Sequence, residues 1–557
     1  MPSRPAAKSL ATSLLFLSAV LASLSCAAQE PRIDPARIRA HVEFLASDAV
    51  EGRMAGTRGY DVAARYVASQ LAQLGARPAG DGGTWFQTVN LLQATPALAA
   101  GRARIAHGDE LTDLALNDDF LPRAYYAEGP TEITAPATFV GHAIRAPELG
   151  YDDFAGVQLA GRIAVVLGGA PPTFPPDQRA HYSHSSTKFR ALIERGAVGA
   201  VFFDTPQNEK RFPWARFLQM SWQPSMRWVD AKGEPFNSFP NLRGRFALSR
   251  PGATKLFAGA PQTLEQVFAS SDAGRAQAFE LPVQLTLSST TQLTRMSSEN
   301  VVGVIEGSDP ALKNEYIVFT AHLDHLGTGK PVAGDAIYNG AFDNATGIGV
   351  MLEAARYFAE LKRKPRRSLL FLAVTAEEQG LLGSEYFARQ PTVPRGSIVA
   401  NINMDMPLAL TDLADLIAFG AEHSSLGDVT ARAVRAEGMS ISPDPIPEEV
   451  IFVRSDQYSF VKEGIPAVYL DMGTKSRAPG VDGSALSEQF LKERYHMPAD
   501  DVSQSIHYES LAALARINAR IGLEVGNARE RPKWNEGDFF GDLFGGSQGN
   551  ARSSAKQ

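Results

Sequence analysis

The stretch Tyr316-Ile-Val-Phe-Thr-Ala-His-Leu-Asp-His325 sets an unbroken apolar run directly against two imidazoles and a carboxylate. Tyr316 to Ala321 is short, apolar and rich in β-branched and aromatic residues, which suits a buried strand. The layout recurs downstream. Leu369 to Thr375 leads into Glu377 and Glu378, Ile398 to Met404 leads into Asp405, and Ala467 to Leu470 forms a fourth apolar run. Between them, Thr346 to Leu361 and Leu381 to Arg389 read as helices, the first opened by Asp343 and Asn344. Strands that alternate with helices imply an α/β sheet with helices on both faces. In such sheets ligands bind at the carboxyl ends of the strands, so these sequence-distant polar clusters are expected to converge on one site.

Outward from this core the texture changes. Asp34 to about Gly80 reads as two amphipathic helices, with Val62, Ala63, Tyr66, Val67, Leu71 and Leu74 at helical spacing and Gly75 as the stop. Between Thr134 and Pro282, short β-type runs such as Ala137 to Gly141, Arg162 to Leu167 and Ala200 to Phe203 are separated by Pro/Gly-rich stretches, the pattern of a separate β-rich unit. The expected organisation is a signal peptide over 1–28, a first catalytic segment over 34–133, a β-rich insert over 134–282, the main catalytic segment over 283–533 and a flexible tail over 534–557.

The N-terminus carries Arg4 and Lys8, an apolar run from Leu10 to Leu24 and the small residues Ser25 to Ala28, the order of a secretory signal peptide. The run falls short of the roughly 18–20 residues of a membrane span, and no later stretch reaches that length. Export to the periplasm or the exterior is the expectation, with lipid attachment at Cys26 as a variant of it. Cys26 is the only cysteine of the 557 residues, which excludes an internal disulfide and a thiolate-held structural zinc. The net charge of −7 offers no general attraction for a phosphate backbone, so nucleic acid is not an expected partner. The oligomeric state is not legible.

Carboxylates brought together without a counter-charge resist joint ionisation, so the convergence calls for a cation. Imidazoles with several carboxylates and no thiolate suit zinc or a similar divalent ion, and the surplus of oxygen ligands suffices for two ions sharing one carboxylate. Paired ions favour hydrolysis. Taken singly, each residue has an ordinary role: Asp343 as a helix cap, Glu377 and Glu378 as an acidic helix start, His496 as a surface or core histidine.

The segments Ala321-His-Leu-Asp-His-Leu-Gly327, Asn339-Gly-Ala-Phe-Asp-Asn-Ala-Thr-Gly347, Thr375-Ala-Glu-Glu-Gln-Gly380, Asn403-Met-Asp405 and Tyr495-His-Met-Pro498 resemble, in order, the signatures of the M28 metallopeptidases. Glu51-Gly-Arg53 with Gly56-Thr-Arg-Gly59, and Ser298-Glu-Asn-Val-Val-Gly303, extend the resemblance. Phe139-Val-Gly141, Gly150-Tyr-Asp-Asp153, Gly161 to Val166 and Lys188 through Ala200 are similar to the protease-associated (PA) domain inserted in many of these enzymes.

The resemblance implies a mixed-sheet zinc exopeptidase-like catalytic domain with a PA-like insert, two zinc ions or other divalent metals, and peptide or protein N-termini as substrate. It makes Asp343 the bridging carboxylate, with His322 and Asp405 on one ion and Glu378 and His496 on the other. Glu377 would be the general base, and the Asp324 carboxylate would hold the second nitrogen of His322. His325 reads as a wall of the pocket, and Gln457 as a substrate-pocket residue where the family commonly has histidine. His423 and the remaining histidines receive no role. The competing readings are a carboxypeptidase of the glutamate carboxypeptidase type, with Arg454 as the cation for the substrate carboxylate, a one-zinc cyclase, and a receptor on the same fold whose site has decayed.

Overall fold

The computed structural model describes residues 30–546; the signal-peptide expectation, Cys26 included, lies outside the described residues. Four parallel strands form the centre of the catalytic sheet in the order Ser368–Val374, Tyr316–His322, Ile398–Asn403 and Ala467–Met472. Antiparallel strands close it on both sides: Asp415–Phe419 beyond the last, and the end of Phe279–Ile305 beyond the first. The sheet is therefore mixed, and the α/β architecture is as the sequence led us to expect.

Apolar on both sides, the central strands split their side chains between two layers with period two. Ile317, Phe319, Ala321, Leu369, Phe371 and Ala373 face one layer. There they meet helices Pro35–Leu45, Arg58–Gln73, Gly347–Glu360 and Tyr508–Asn527. Val318, Leu370, Leu372 and Val374 face the other, against Phe387 of helix Leu382–Arg389 and Phe460 of helix Gln457–Val461. Burial on both faces fixes strand height, and parallel register puts His322 level with Val374 and Thr320 level with Asn403. The residues after each strand consequently emerge on one edge.

A second hydrophobic core is built around Phe120, Phe139, Val165, Val201, Phe203, Phe246 and Leu285. It differs from the sequence expectation in extent. It takes in Ala103, Ile105 and Leu114, which lie before residue 134, and Val283 to Leu287, which lie after 282. The reason is strand pairing: Arg102–His107 and Gly129–Phe139 both run antiparallel to the first half of Phe279–Ile305, which continues without a break into the catalytic sheet. No composition shift marks a strand shared by two units. Helices such as Pro176–Ser183, Ser185–Glu194 and Leu264–Asp272 also make this unit α/β in texture, where the sequence suggested mainly β.

The C-terminal expectation needs correction for residues 534–546. Helix Phe539–Phe544 is capped by Asp538, and Phe540 is fully buried against Phe452 and Tyr458. The Gly and Asn content of this segment disguised one aromatic anchor; residues 547–557 lie outside the described residues.

Candidate metal centre

Each strand end delivers its polar residue to the same edge. His322 is the last residue of its strand, Glu377 and Glu378 follow Ser368–Val374, and Asp405 follows Ile398–Asn403. Asp343 lies in the turn before helix Gly347–Glu360, and His496 follows helix Gly483–Glu493. The turn carrying Asp343 needs glycine at 340. Its φ is +60°, and a Cβ there would stand 2.1 Å from the Asp343 carbonyl oxygen.

His322 Nε2 stands 2.9 Å from Asp405 Oδ1 and 3.2 Å from Asp343 Oδ1. His496 Nε2 stands 3.2 Å from Asp343 Oδ2 and 3.1 Å from Glu378 Oε2. The two oxygens of Asp343 thus face opposite ways, one towards each imidazole. His325 Nδ1 meets the other oxygen of Glu378, Oε1, at 2.6 Å and lies 3.8 Å from Asp343 Oδ2. All five expected ligands meet in one place, joined by His325 as a sixth member.

Two expected contacts are different in the structure. The Asp324 carboxylate does not hold His322; His322 Nδ1 meets the Asp324 carbonyl oxygen at 3.1 Å. The carboxylate instead accepts the N–H groups of Glu377 and Glu378 at 3.0 and 3.3 Å, because the loop turns its side chain towards the neighbouring strand end. Gln457 is fully buried and takes no place in a pocket: its Oε1 accepts from Asn403 and its Nε2 donates to the Phe452 carbonyl, both at 2.8 Å.

Sequence reasoning passed over several residues that hold the ligands in place. Asp500 is buried and accepts the N–H groups of Phe342 and Asp343, each at 3.1 Å. Ser455 donates to Asp405 Oδ2 at 2.5 Å. Arg53, with no exposed surface, donates to the carbonyls of Leu323 at 2.9 Å, Asn339 at 2.6 Å and Gly340 at 2.9 Å, and also to Leu45. Arg53 belongs to the quoted Glu51-Gly-Arg53 motif, so its presence was legible; Asp500 had no signal beyond its place four residues after His496.

The electrostatics are those of a site that wants positive charge. Burial alone would lower the histidines, but Asp405 and Glu377 hold His322 well above its ordinary value. Glu378 and Asp343 likewise raise His496 to about 10. Burial would raise Asp343 and Glu378, yet the surrounding imidazoles pull Asp343 well below the usual carboxylate range and Glu378 to about 2. Glu377 goes the other way: burial, with Asp405, Asp456 and Glu378 nearby, pushes it well up despite His322. Burial also raises Asp324 to about 7. Protons thus gather where cations would otherwise sit.

The second unit reaches this edge. Arg216 of helix Trp214–Met220 donates to the Leu491 and Tyr495 carbonyls at 3.0 and 2.6 Å, and the Tyr495 ring stacks on His496 with centroids 3.8 Å apart. Trp222 packs against Tyr338 at 5.5 Å between ring centroids.

Residues 300–521 match the family described as Peptidase family M28. Among solved structures, an aminopeptidase from Aneurinibacillus sp. strain AM-1 is similar with a TM-score of 0.52, covering 88% of this chain and 93% of its own at 20% sequence identity. At that identity the likeness is one of fold. Among curated proteins, a probable zinc metalloprotease of Pyrenophora teres f. teres (strain 0-1) is 35% identical over 106 residues, 19% of this chain and 22% of its own length. A probable glutamate carboxypeptidase of Arabidopsis thaliana is 27% identical over 205 residues, 34% of this chain and 28% of its own length. The chain therefore spans less than a third of these curated relatives. The segment that matches peptidase family M28, residues 300–521, contains every ligand candidate at the converging edge.

Proposed function

We propose that the protein is an exported zinc exopeptidase with two metal ions, and that it removes residues from the N-termini of peptides. The observation that carries this reading is the split of Asp343. With metal–ligand bonds of about 2.0–2.1 Å, tetrahedral coordination separates neighbouring ligand atoms by about 3.3 Å. The four nitrogen–oxygen separations around Asp343 lie between 2.9 and 3.2 Å, in two groups, each using a different Asp343 oxygen. His322, Asp405 and Asp343 Oδ1 would hold one ion; His496, Glu378 Oε2 and Asp343 Oδ2 would hold the other. His325, on the remaining Glu378 oxygen, orients that carboxylate.

Ions so held would supply an acidified water and polarise the scissile carbonyl. Glu377, adjacent to the ligand Glu378 but free of both ligand groups, is placed to take a proton and pass it to the leaving amine. Its raised pKa fits a group that changes protonation during turnover, since positive charge at the ligands would bring it down towards neutrality. Asp324 serves as a positioning residue, fixing the Glu377–Glu378 main chain.

An aminopeptidase is favoured over a carboxypeptidase by Arg454. A carboxypeptidase needs a cation for the substrate's terminal carboxylate, and the Arg454 guanidinium is already committed to Glu449 at 2.9 Å. A decayed receptor is disfavoured because every ligand candidate is in place. The second unit, including Trp214–Met220 beside His496, we read as a PA-like insertion that contributes to the substrate surface. The placement outside the cytoplasm rests on residues 1–28; among the described residues no helix is long and apolar enough to cross a membrane.

The test is digestion of a peptide library by the full chain with and without chelator, comparing N-blocked with C-blocked peptides by mass spectrometry. Chelator-sensitive cleavage confined to free N-termini is expected. Cleavage of N-blocked peptides, or activity that survives removal of all metal, contradicts the reading.

A further inference from the structure

A second convergence of metal-ligating side chains lies away from the candidate active centre, where three chain segments meet. His423 ends the turn Ala421–His423 after strand Asp415–Phe419. Asp177 lies in the first turn of helix Pro176–Ser183 of the second unit, and Asp538 caps the C-terminal helix Phe539–Phe544. The ligand atoms of Asp177, His423 and Asp538 all lie within 4.8 Å of one another.

The bonding within the group is divided in a particular way. Asp538 Oδ1 accepts the N–H of Gly541 at 2.8 Å and so caps its helix, while Oδ2 stands 2.7 Å from His423 Nδ1. Nδ1 donates to that carboxylate; burial would lower the imidazole, but Asp538, Glu422 and Asp177 hold it above its ordinary value, so a cation at Nε2 would take the place of a proton. The imidazole is 97% buried, clamped between Phe452 at 4.9 Å and Phe540 at 5.1 Å, and Nε2 has no hydrogen-bond partner. Nε2 instead points between two carboxylates, Asp177 Oδ1 and Glu422 Oε1, each 3.7 Å away.

A buried, oriented and unpartnered imidazole nitrogen facing two carboxylate oxygens has the elements of a metal site, with Asp538 as the outer carboxylate that commonly backs a ligating histidine. The spacing of 3.7 Å is slightly wider than tetrahedral ligands on one ion require, and closes by a small movement of two partly exposed side chains. Among the described residues, Asp177, Glu422 and Asp538 have no ion pair within 4 Å except to His423, so three acids share one imidazole. A bound cation would satisfy the unpartnered ring nitrogen and offset the surplus negative charge of the three acids.

We propose that His423 Nε2, Asp177 and Glu422, with Asp538 orienting the imidazole, bind a further divalent cation of the zinc type. One imidazole with carboxylates and no thiolate suits zinc or manganese better than a softer metal. Because its ligands come from the second unit and the catalytic unit, and its outer carboxylate from the C-terminal segment, the ion would act as a clasp across all three. The claim is independent of what happens at Asp343.

The experiment is zinc analysis by inductively coupled plasma mass spectrometry on the full chain, stripped, reloaded with zinc alone and dialysed. The wild type is compared with the double substitution Asp177→Asn/Glu422→Gln, two partly exposed positions whose change keeps shape and hydrogen bonding. The expected result is one equivalent less in the double variant, and a competition titration in which one class of wild-type sites weakens at least about 10-fold. The readout is the difference between the two proteins, so it holds whether the Asp343 centre binds two ions, one or none. Equal zinc content and equal titrations in both proteins would mean adventitious zinc only and overturn the proposal. His423→Gln gives a second readout: it should lose the same equivalent, and retention of that equivalent in a folded variant overturns the assignment equally.

Discussion

Replacing Arg53 with Met should loosen the metal centre from beneath. Arg53 touches none of the ligand side chains, yet it bonds the carbonyls of Leu323, between His322 and Asp324, and of Asn339 and Gly340, just before Asp343, and ties both loops to Leu45. Met keeps much of the volume and removes every donor; Gly340 O still accepts the Ala345 N–H at 3.2 Å, which leaves the carbonyls of Leu45, Leu323 and Asn339 without the Arg53 donor. Taken at about 1 kcal/mol each, the low end for an unsatisfied buried group, the loss is about 3 kcal/mol. The guanidinium also faces Asp343, Asp324, Asp500 and Glu378. Burial already brings Arg53 down to about 10 despite those acids, so the residue is held by its geometry and not by an easy environment. At roughly 2–4 °C per kcal/mol, the thermal midpoint of the catalytic unit should fall by roughly 6–12 °C. Zinc affinity should drop with it, because the loops carrying His322 and Asp343 are no longer held in register. Calorimetry and a zinc competition titration on wild type, Arg53→Met and Arg53→Lys measure both effects. Lysine retains charge but cannot span four carbonyls, and is expected to fall between the other two. A midpoint for Arg53→Met within about 2 °C of wild type, with unchanged zinc affinity, would refute the reasoning.

Three further outcomes are expected. Glu377→Gln should leave metal content unaltered while lowering turnover about 10²–10⁴-fold; comparable loss of metal and activity would show Glu377 to be a ligand and not the base. Asp500→Ala removes the acceptor for the Phe342 and Asp343 N–H groups, and should weaken zinc binding about 10–100-fold, as for other outer carboxylates; an unchanged titration would deny that positioning role. In the metal-free chain, Glu378 and Asp343 outweigh burial and raise His496 to about 10. Its folded pKa exceeds its unfolded one, so this stability is present in full below about pH 6.5 and is lost as pH climbs through about 10. The melting temperature of chelator-treated protein should accordingly fall across that window more steeply than that of zinc-loaded protein, and parallel curves would argue against ions replacing those protons.

The catalytic sheet was legible because its signals are local. Tyr316–His322, Ser368–Val374 and Ile398–Asn403 are short apolar runs that end in polar clusters, and parallel pairing converts equal strand heights into spatial convergence. Motif order identified the ligand candidates for the same reason. What stayed hidden depends on side-chain direction or on pairings distant in sequence. The Asp324 carboxylate faces the Glu377 main chain and not His322, which spacing of two residues cannot reveal. Gln457 occupies a buried brace between Asn403 and Phe452, although its motif suggested a pocket. The boundary of the second unit has no local signal because Phe279–Ile305 is one strand whose start packs in the second core and whose end packs in the main one. His423 read as an unremarkable histidine; its partners come from positions 177 and 538, over 100 residues away on each side.

The central claim is that Asp343 bridges two cations. Its most direct measurement is anomalous diffraction at the zinc absorption edge from crystals of the zinc-loaded chain. The account predicts two peaks about 3.5–4 Å apart on either side of the Asp343 carboxylate, one beside His322 and Asp405 and the other beside His496 and Glu378. A single peak, or zinc bound with Asp343 outside its coordination sphere, would contradict it.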